Sequence, residues 1–474
     1  MRNILKKKIY LALFSILIAL VFAIGCAQSS PGEPINEADV DWGFYNGRAE
    51  VFIKATAGGE YERAVENFSR AMMRGFGAKG LEDAWAQIIV TAGEFIEINE
   101  IMNAVRDGYL ISGVIMQHEN YGYAWNITFS TEGIIEGLWS GGTIPLSELK
   151  GASQESATAT ERDGFTDYPV IIGEGTDFPL NGILSIPDDA QGQVPAVVMV
   201  HGSGASNMDG VPAALPNFPN KPFRDIADHL AANGIAVIRY DKRTLIHGMR
   251  MPQDFTVWEE TIEDALLAAE ILRADPRVDE NRVFIIGHSM GGMLAPRIHA
   301  EGGDFAGLIL LAGSPRSLLD IIRDQNIDYV NENMTGAEKE AALATLTEES
   351  WNELVTQPIL NMPEDEARRT PSGFGATVYY DQDWLNHPAE TFIRAINQPF
   401  LILQGSTDFQ VTVDRDFAVY QELFAQRSNA TLKVYEGLNH LFMVSTTGTI
   451  DEYSIPATVD GQVLADIVDW IKAQ

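Results

Sequence analysis

Val283-Phe284-Ile285-Ile286-Gly287-His288-Ser289-Met290-Gly291-Gly292 reads as a strand that runs through a Gly-x-Ser-x-Gly turn directly into a helix. Four apolar residues in succession suit a strand covered on both faces. Small residues on either side of the serine let backbones approach closely, as a tight strand-to-helix turn requires. Such a turn holds a serine hydroxyl clear of the sheet, and the helix N-terminus behind it favours negative charge. By composition alone the five-residue pattern arises roughly 0.1–0.2 times in a chain this long, so its context decides. The strand before, the helix after and the small turn residues are all present, which makes Ser289 the candidate nucleophile.

Working outward, short apolar runs alternate with helical patterns. Tyr168 to Gly173 and Asn181 to Ile186 read as an antiparallel opening pair. Further strands follow at Ala196 to Val200, Ile235 to Tyr240, Leu308 to Ala312, Phe400 to Gln404 and Thr431 to Tyr435, with helices such as Phe223 to Ala232 and Val257 to Ala274 between them. This alternation predicts an α/β fold, a doubly wound and mostly parallel sheet, over residues 165–474. Residues 315 to about 395 interrupt it with three helical stretches and are expected to form a helical lid. Phe374, Tyr379, Tyr380 and Trp384 cluster near its end, as packing core or as substrate contacts.

Serine needs a base to become a nucleophile. Of eight histidines, His440 alone follows position 387, and it stands directly after the last strand. The order serine, acid, histidine then asks for a carboxylate after the penultimate strand. Asp408 occupies that loop; Asp414 and Asp416 are rivals in the helical stretch beyond it. An oxyanion would take one backbone donor from Met290 and a second from His201-Gly202-Ser203-Gly204, at Ser203 or alternatively Gly204. His201 is expected to buttress that loop, and Tyr240-Asp241-Lys242-Arg243 to be ion-paired rather than catalytic.

The segments His201 to Asn207, Lys221 to Arg243, Gly287 to Gly292 and Gly405 to Val411 resemble the dienelactone-hydrolase-like and prolyl-oligopeptidase-like branches of the α/β-hydrolases. The resemblance covers about residues 165–474. It implies a serine hydrolase of carboxylic esters, with peptides as the alternative substrate, acting on a small acyl compound without metal or organic cofactor. It carries the nucleophile onto Ser289, the acid onto Asp408 and the base onto His440. Met290 departs from relatives that often have an acidic or amide residue there, which leaves its backbone donor unaffected.

Ahead of this lies a smaller unit, residues 46–146, joined by a linker over 147–164. Glu60 to Arg74 and Leu81 to Ala92 show helical periodicity, and strands are expected over 95–105, 109–117 and 123–129, a small α+β arrangement. Ala84-Trp85, Gly93-Glu94-Phe95 and Thr131-Glu132-Gly133 give it a resemblance to a domain of unknown function found before hydrolase domains in exported bacterial proteins.

The N-terminus has a basic start, with Arg2 and Lys6 to Lys8, and an apolar run from Ile9 to Ile24 that ends in Ala23-Ile24-Gly25-Cys26. This resembles a bacterial lipoprotein signal over residues 1–25, with lipidation of Cys26, a tether over 26–45 and a membrane-anchored place in the cell envelope. An uncleaved membrane anchor is the alternative. Cys26 is the sole cysteine, which excludes an intrachain disulfide. A formal net charge of −33 makes the chain a poor fit to nucleic acid, which calls for a basic surface.

Overall fold

The computed structural model describes residues 40–474 apart from 107–108, 145, 147–148, 150–158, 189, 216–217, 249 and 374–375. Cys26, the signal-like leader, most of the tether and Phe374 lie outside the described residues. No helix among the described residues is long and apolar enough to cross a membrane.

Near the N-terminus, β1 (Phe95–Arg106), β2 (Tyr109–His118), β3 (Gly122–Phe129) and β4 (Ile135–Ile144) form an antiparallel sheet in sequence order. β2 alternates buried and half-buried residues along its length, as a strand with one covered face must. Helices Trp42–Ala57 and Gly77–Ala92 supply the cover. Their Phe52 and Trp85 rings meet Trp125 of β3 at centroid distances of 5.8 and 5.6 Å.

Two expectations need correction here. The tether expected to run to residue 45 stops short, because helix Trp42–Ala57 begins inside it and buries Tyr45, Ala49, Phe52, Ile53 and Thr56 at helical spacing. The single helix expected over Glu60 to Arg74 is broken. Ser69 donates its backbone N–H to the Ile135 carbonyl and caps a new helix, Arg70–Gly75, through its hydroxyl. Phe68 thus joins β4 through an isolated bridge to Ile135, a long-range pairing that overrides the local period.

The second sheet has nine strands. These are β5 (Thr160–Glu161), β6 (Phe165–Ile172), β7 (Leu180–Pro187), β8 (Val194–Val200), β9 (Ala236–Tyr240), β10 (Val278–His288), β11 (Leu308–Leu311), β12 (Phe400–Gly405) and β13 (Ala430–Tyr435). Their order is β13-β12-β11-β10-β8-β9-β7-β6-β5. From β9 to β13 every neighbouring pair is parallel, and β5 to β7 add antiparallel strands at one edge. The expected doubly wound, mostly parallel sheet is the one found. β5 falls within the stretch read as linker. Every residue of β8 is buried, because helices cover both faces. The chain leaves β8 toward β9 on one side and returns to β10 on the other, so the order reverses between β8 and β10. A crevice at the carboxyl ends of strands flanking such a reversal is where sheets of this kind bind ligands.

Between β11 and β12 the chain makes a helical insertion, from helix Leu318–Asn333 to helix Ala389–Ala395. Arg297 on helix Met290–Ile298 grips its Asp383 at 2.7 and 3.2 Å. The two sheets also touch: Tyr121, just before β3, donates its hydroxyl to Asp241 after β9 at 3.2 Å.

Candidate active site

The carboxyl end of β10 delivers Ser289 at φ 54°, a left-handed backbone that a non-glycine residue adopts only when its surroundings hold it there. Two bonds do so. Ser289 N–H donates to Leu311 O at 2.9 Å, and Met293 N–H donates to Ser289 O at 3.1 Å. The flanking glycines are sterically required: a Cβ at Gly287 would collide with the Gly291 carbonyl, and one at Gly291 with the carbonyls of Val200 and His201. The motif is thus the imprint of three backbones meeting at one turn. The Ser289 hydroxyl makes no capping bond to the helix it precedes.

The loop after β8 lies alongside. A Cβ on Gly202 would stand 3.1 Å from Ser289 Cβ. Ser203 and Gly204 are exposed and Met290 is buried. Among the described residues neither Met290 N–H nor Ser203 N–H has a backbone acceptor. His201 serves as the expected buttress, its ring stacked on Phe223 and its Nε2 3.1 Å from Asn207 O. Burial, with Lys242 nearby, lowers its pKa to about 3, so it stays neutral.

His440 follows β13 in a turn organised by Asn439, whose side-chain oxygen accepts from Leu441 and Met443 N–H. His440 Nδ1 lies 2.7 Å from Asp408 Oδ2. The Asp408 carboxylate is sealed from solvent and also accepts from Gln404 Nε2 at 2.9 Å, Gln410 N–H at 2.8 Å and Val411 N–H at 3.0 Å. With Nδ1 tied to that carboxylate, Nε2 is the nitrogen left for proton transfer. His288 packs against His440, with ring centroids 4.7 Å apart and its Nε2 2.9 Å from the His440 carbonyl. Burial, then the proximity of His440, lowers its pKa to about 3. The residue before Ser289 is therefore in direct contact with His440.

Of the three acids weighed, Asp408 is the one bonded to His440. Asp414 is exposed. Asp416 is buried but engaged elsewhere, accepting from Ser314 Oγ at 2.7 Å, Arg316 Nη1 at 3.1 Å and Thr412 N–H at 2.8 Å. Of the aromatic candidates, Tyr380 reaches the Met290 side chain, its hydroxyl 4.0 Å from Sδ. Tyr379 instead carries the Arg368 guanidinium over its ring at 3.7 Å, and Trp384 is buried in the main core.

Two groups escaped the sequence reading. Gln404 was read only as part of a strand, although an amide at the fifth place of a fully buried strand is a signal for a buried polar partner. Lys242 is ion-paired as expected, yet it also donates to the Gly202 carbonyl at 2.8 Å.

Residues 197–451 match the model of the Alpha/beta hydrolase family. The chain is 29% identical over 435 residues to Esterase EstD of Thermotoga maritima, covering 91% of this chain and 96% of that protein. That alignment is longer than the unit built on the nine-stranded sheet, so it extends into the N-terminal unit. It is 25% identical over 229 residues to the monoglyceride lipase of Mus musculus, covering 46% of this chain and 66% of that one. Among solved structures, Est1E from Butyrivibrio proteoclasticus is 16% identical with a TM-score of 0.39, covering 65% of this chain and 99% of its own.

Proposed function

The chain belongs to the alpha/beta hydrolase family, and from that premise we propose that it hydrolyses carboxylic esters of small acyl compounds through an acyl-enzyme on Ser289. The observation that carries the reading is the bond from His440 to the sealed Asp408 carboxylate, beside a serine held in a strained turn. His440 Nε2 takes the hydroxyl proton as Ser289 Oγ attacks the acyl carbonyl. Asp408 holds the imidazole in one tautomer and offsets the imidazolium charge. The N–H groups of Met290 and Ser203 receive the oxyanion, each such donor contributing about 10²–10³ in rate. His440 passes the proton to the leaving alcohol, then activates the water that releases the acid.

Likeness to an esterase over nearly the whole chain favours esters over peptides, and the four segments that resemble dienelactone-hydrolase-like proteins support that branch. The test is turnover of p-nitrophenyl esters and aminoacyl anilides, together with labelling by a fluorophosphonate probe. The wild type is expected to cleave esters and take the label, and Ser289→Ala to lose both, with turnover down by several orders of magnitude. An unlabelled, inactive wild type would leave a binding protein with a vestigial site. Peptide turnover without ester turnover would make it a peptidase.

The leader sequence supports export and anchoring through a lipid on Cys26. Labelling with a fatty-acid analogue, lost in Cys26→Ser, is the outcome this reading requires.

A further inference from the structure

Lys242 is 2% exposed and among the largest fully buried side chains of the protein. Burying an ammonium costs several kcal/mol unless it is paired and hydrogen-bonded. One bond pairs it: Nζ lies 2.7 Å from Glu260 Oε1, itself buried. The other has a different destination, the carbonyl oxygen of Gly202 at 2.8 Å.

That carbonyl belongs to the peptide joining Gly202 to Ser203. In a trans peptide the C=O and the N–H point to opposite sides of one rigid plane. Holding the Gly202 oxygen therefore sets the direction of the Ser203 N–H, the second oxyanion donor of the proposed mechanism. A glycine at 202 leaves this plane otherwise free to rotate, and the close approach of Ser289 Cβ calls for a small residue there. A cation on the carbonyl also polarises the peptide and strengthens its N–H as a donor. Lys242 N–H further donates to Ser206 O at 3.1 Å, so the same residue holds the loop at two points.

The other end of the pair leads out of the sheet. Glu260 Oε2 accepts the Tyr380 hydroxyl at 2.6 Å, and Tyr380 belongs to helix Val378–Asn386 of the insertion. That hydroxyl also touches Met290, the residue of the first oxyanion donor. A buried chain of polar contacts thus runs from the helical insertion through Tyr380, Glu260 and Lys242 to the Gly202–Ser203 peptide.

We propose that Lys242 is the positioning residue of the Ser203 oxyanion donor, and that Glu260 and Tyr380 link that donor to the seating of the helical insertion. The inference rests on the ester-hydrolase reading. Its signature is a selective loss of transition-state binding, because an oxyanion donor works chiefly on the charge that develops during attack.

The experiment measures kcat and KM on a p-nitrophenyl ester, with inhibition by an alkyl boronic acid. Its boron accepts Ser289 Oγ while His440 takes the proton, giving a tetrahedral adduct with an oxygen in the oxyanion position. Two variants are used, each checked by circular dichroism. Lys242→Met with Glu260→Gln removes both charges together, so that neither is left unpaired. Tyr380→Phe removes a single hydroxyl. The double variant should lower kcat by about 10²-fold with KM within about threefold, and weaken boronate inhibition by a similar factor. Tyr380→Phe should lower kcat by about threefold to tenfold, again with KM little changed. A merely structural role would lower Tm without moving the split between kcat and KM or the boronate affinity. Wild-type kcat in a folded double variant, or a loss confined to KM, overturns the positioning role. Wild-type kcat in Tyr380→Phe overturns the link to the insertion, and this variant tests it even if the double variant does not fold. Should the wild type itself neither cleave esters nor take a fluorophosphonate label, the ester-hydrolase reading falls and this inference with it. An active wild type matched by both variants defeats this inference alone.

Discussion

Among the described residues the unit built on β1 to β4 buries Thr56, Thr91, Ser112, His118, Thr128 and Thr143, but no Asp, Glu, Lys or Arg. The unit built on the nine-stranded sheet buries ionisable side chains repeatedly, among them Asp241, Lys242, Glu260, Asp264, Asp408 and Asp416. Each ion taken from water costs several kcal/mol before its partners offset it. A core that has only to hold itself together can do so with rings such as Phe52, Trp85 and Trp125, and the first unit does. In the second, three buried or half-buried pairs each include a residue from a loop beyond the carboxyl end of a strand: Asp408 with His440, Lys242 with Glu260, and Arg316 with Asp416. One unit is built for packing, while the other gives up stability to hold polar groups in place.

The largest effect is expected among the buried carboxylates of the second unit. Asp408→Asn removes the charge that orients His440, so kcat/KM on an activated ester should fall by roughly 10³–10⁴-fold. Asp416→Asn, equally buried but bonded to Ser314 and Arg316, should change kcat/KM by less than about tenfold, under roughly 1.4 kcal/mol, while lowering Tm. The reverse ranking would assign the acid to the wrong loop.

A second test moves to the aromatic core. Trp125→Ala should remove about 3–5 kcal/mol of stability, since it empties a site packed on all sides. In the fraction that stays folded, kcat should remain within about twofold of wild type, as read by active-site titration with a fluorophosphonate. A large fall in kcat per titrated site would show that the first unit takes part in the chemistry.

The smallest effect is expected where the two units meet. Burial raises the Asp241 carboxyl from 3.8 to about 7, so the folded protein keeps a proton that the unfolded chain releases above pH 4. Stability from this group is fully present below about pH 4 and is lost as pH rises to about 7. Asp241→Asn cannot titrate. Its Tm relative to wild type should therefore climb between pH 4.5 and 7.5, by about 2–4 °C. Parallel Tm curves for the two proteins across that range would remove Asp241 as a source of the pH dependence.

Much of the catalytic sheet was written locally. Apolar runs of four to seven residues marked its strands, because a strand covered on both faces tolerates little else. Gly287, Ser289 and Gly291 marked the turn, because its steric demand falls on residues within four positions of one another. Ser289, Asp408 and His440 each come after a strand in the sequence, and the fold places each of them beyond that strand's carboxyl end. Helix Trp42–Ala57 was legible too, with Tyr45, Ala49, Phe52, Ile53 and Thr56 at helical spacing, and reading the proline-broken tether too far concealed it. Other features belonged to the tertiary structure alone. Three aspartates lay within nine residues, and only the fold could show that Asp408 meets His440, 32 positions away, while Asp416 turns to Ser314, 102 positions away. The break at Phe68 and Ser69 depended on Ile135. Lys242 was one charge in a charged loop until its contacts were seen, with Gly202 40 residues off and Tyr380 120 residues from Glu260. Crowding at a tight turn falls on a few consecutive residues, even where the crowding backbone is remote, and so leaves a pattern in the sequence. The partner of a buried charge is chosen by whichever element the fold brings against it, and no local spacing records that choice.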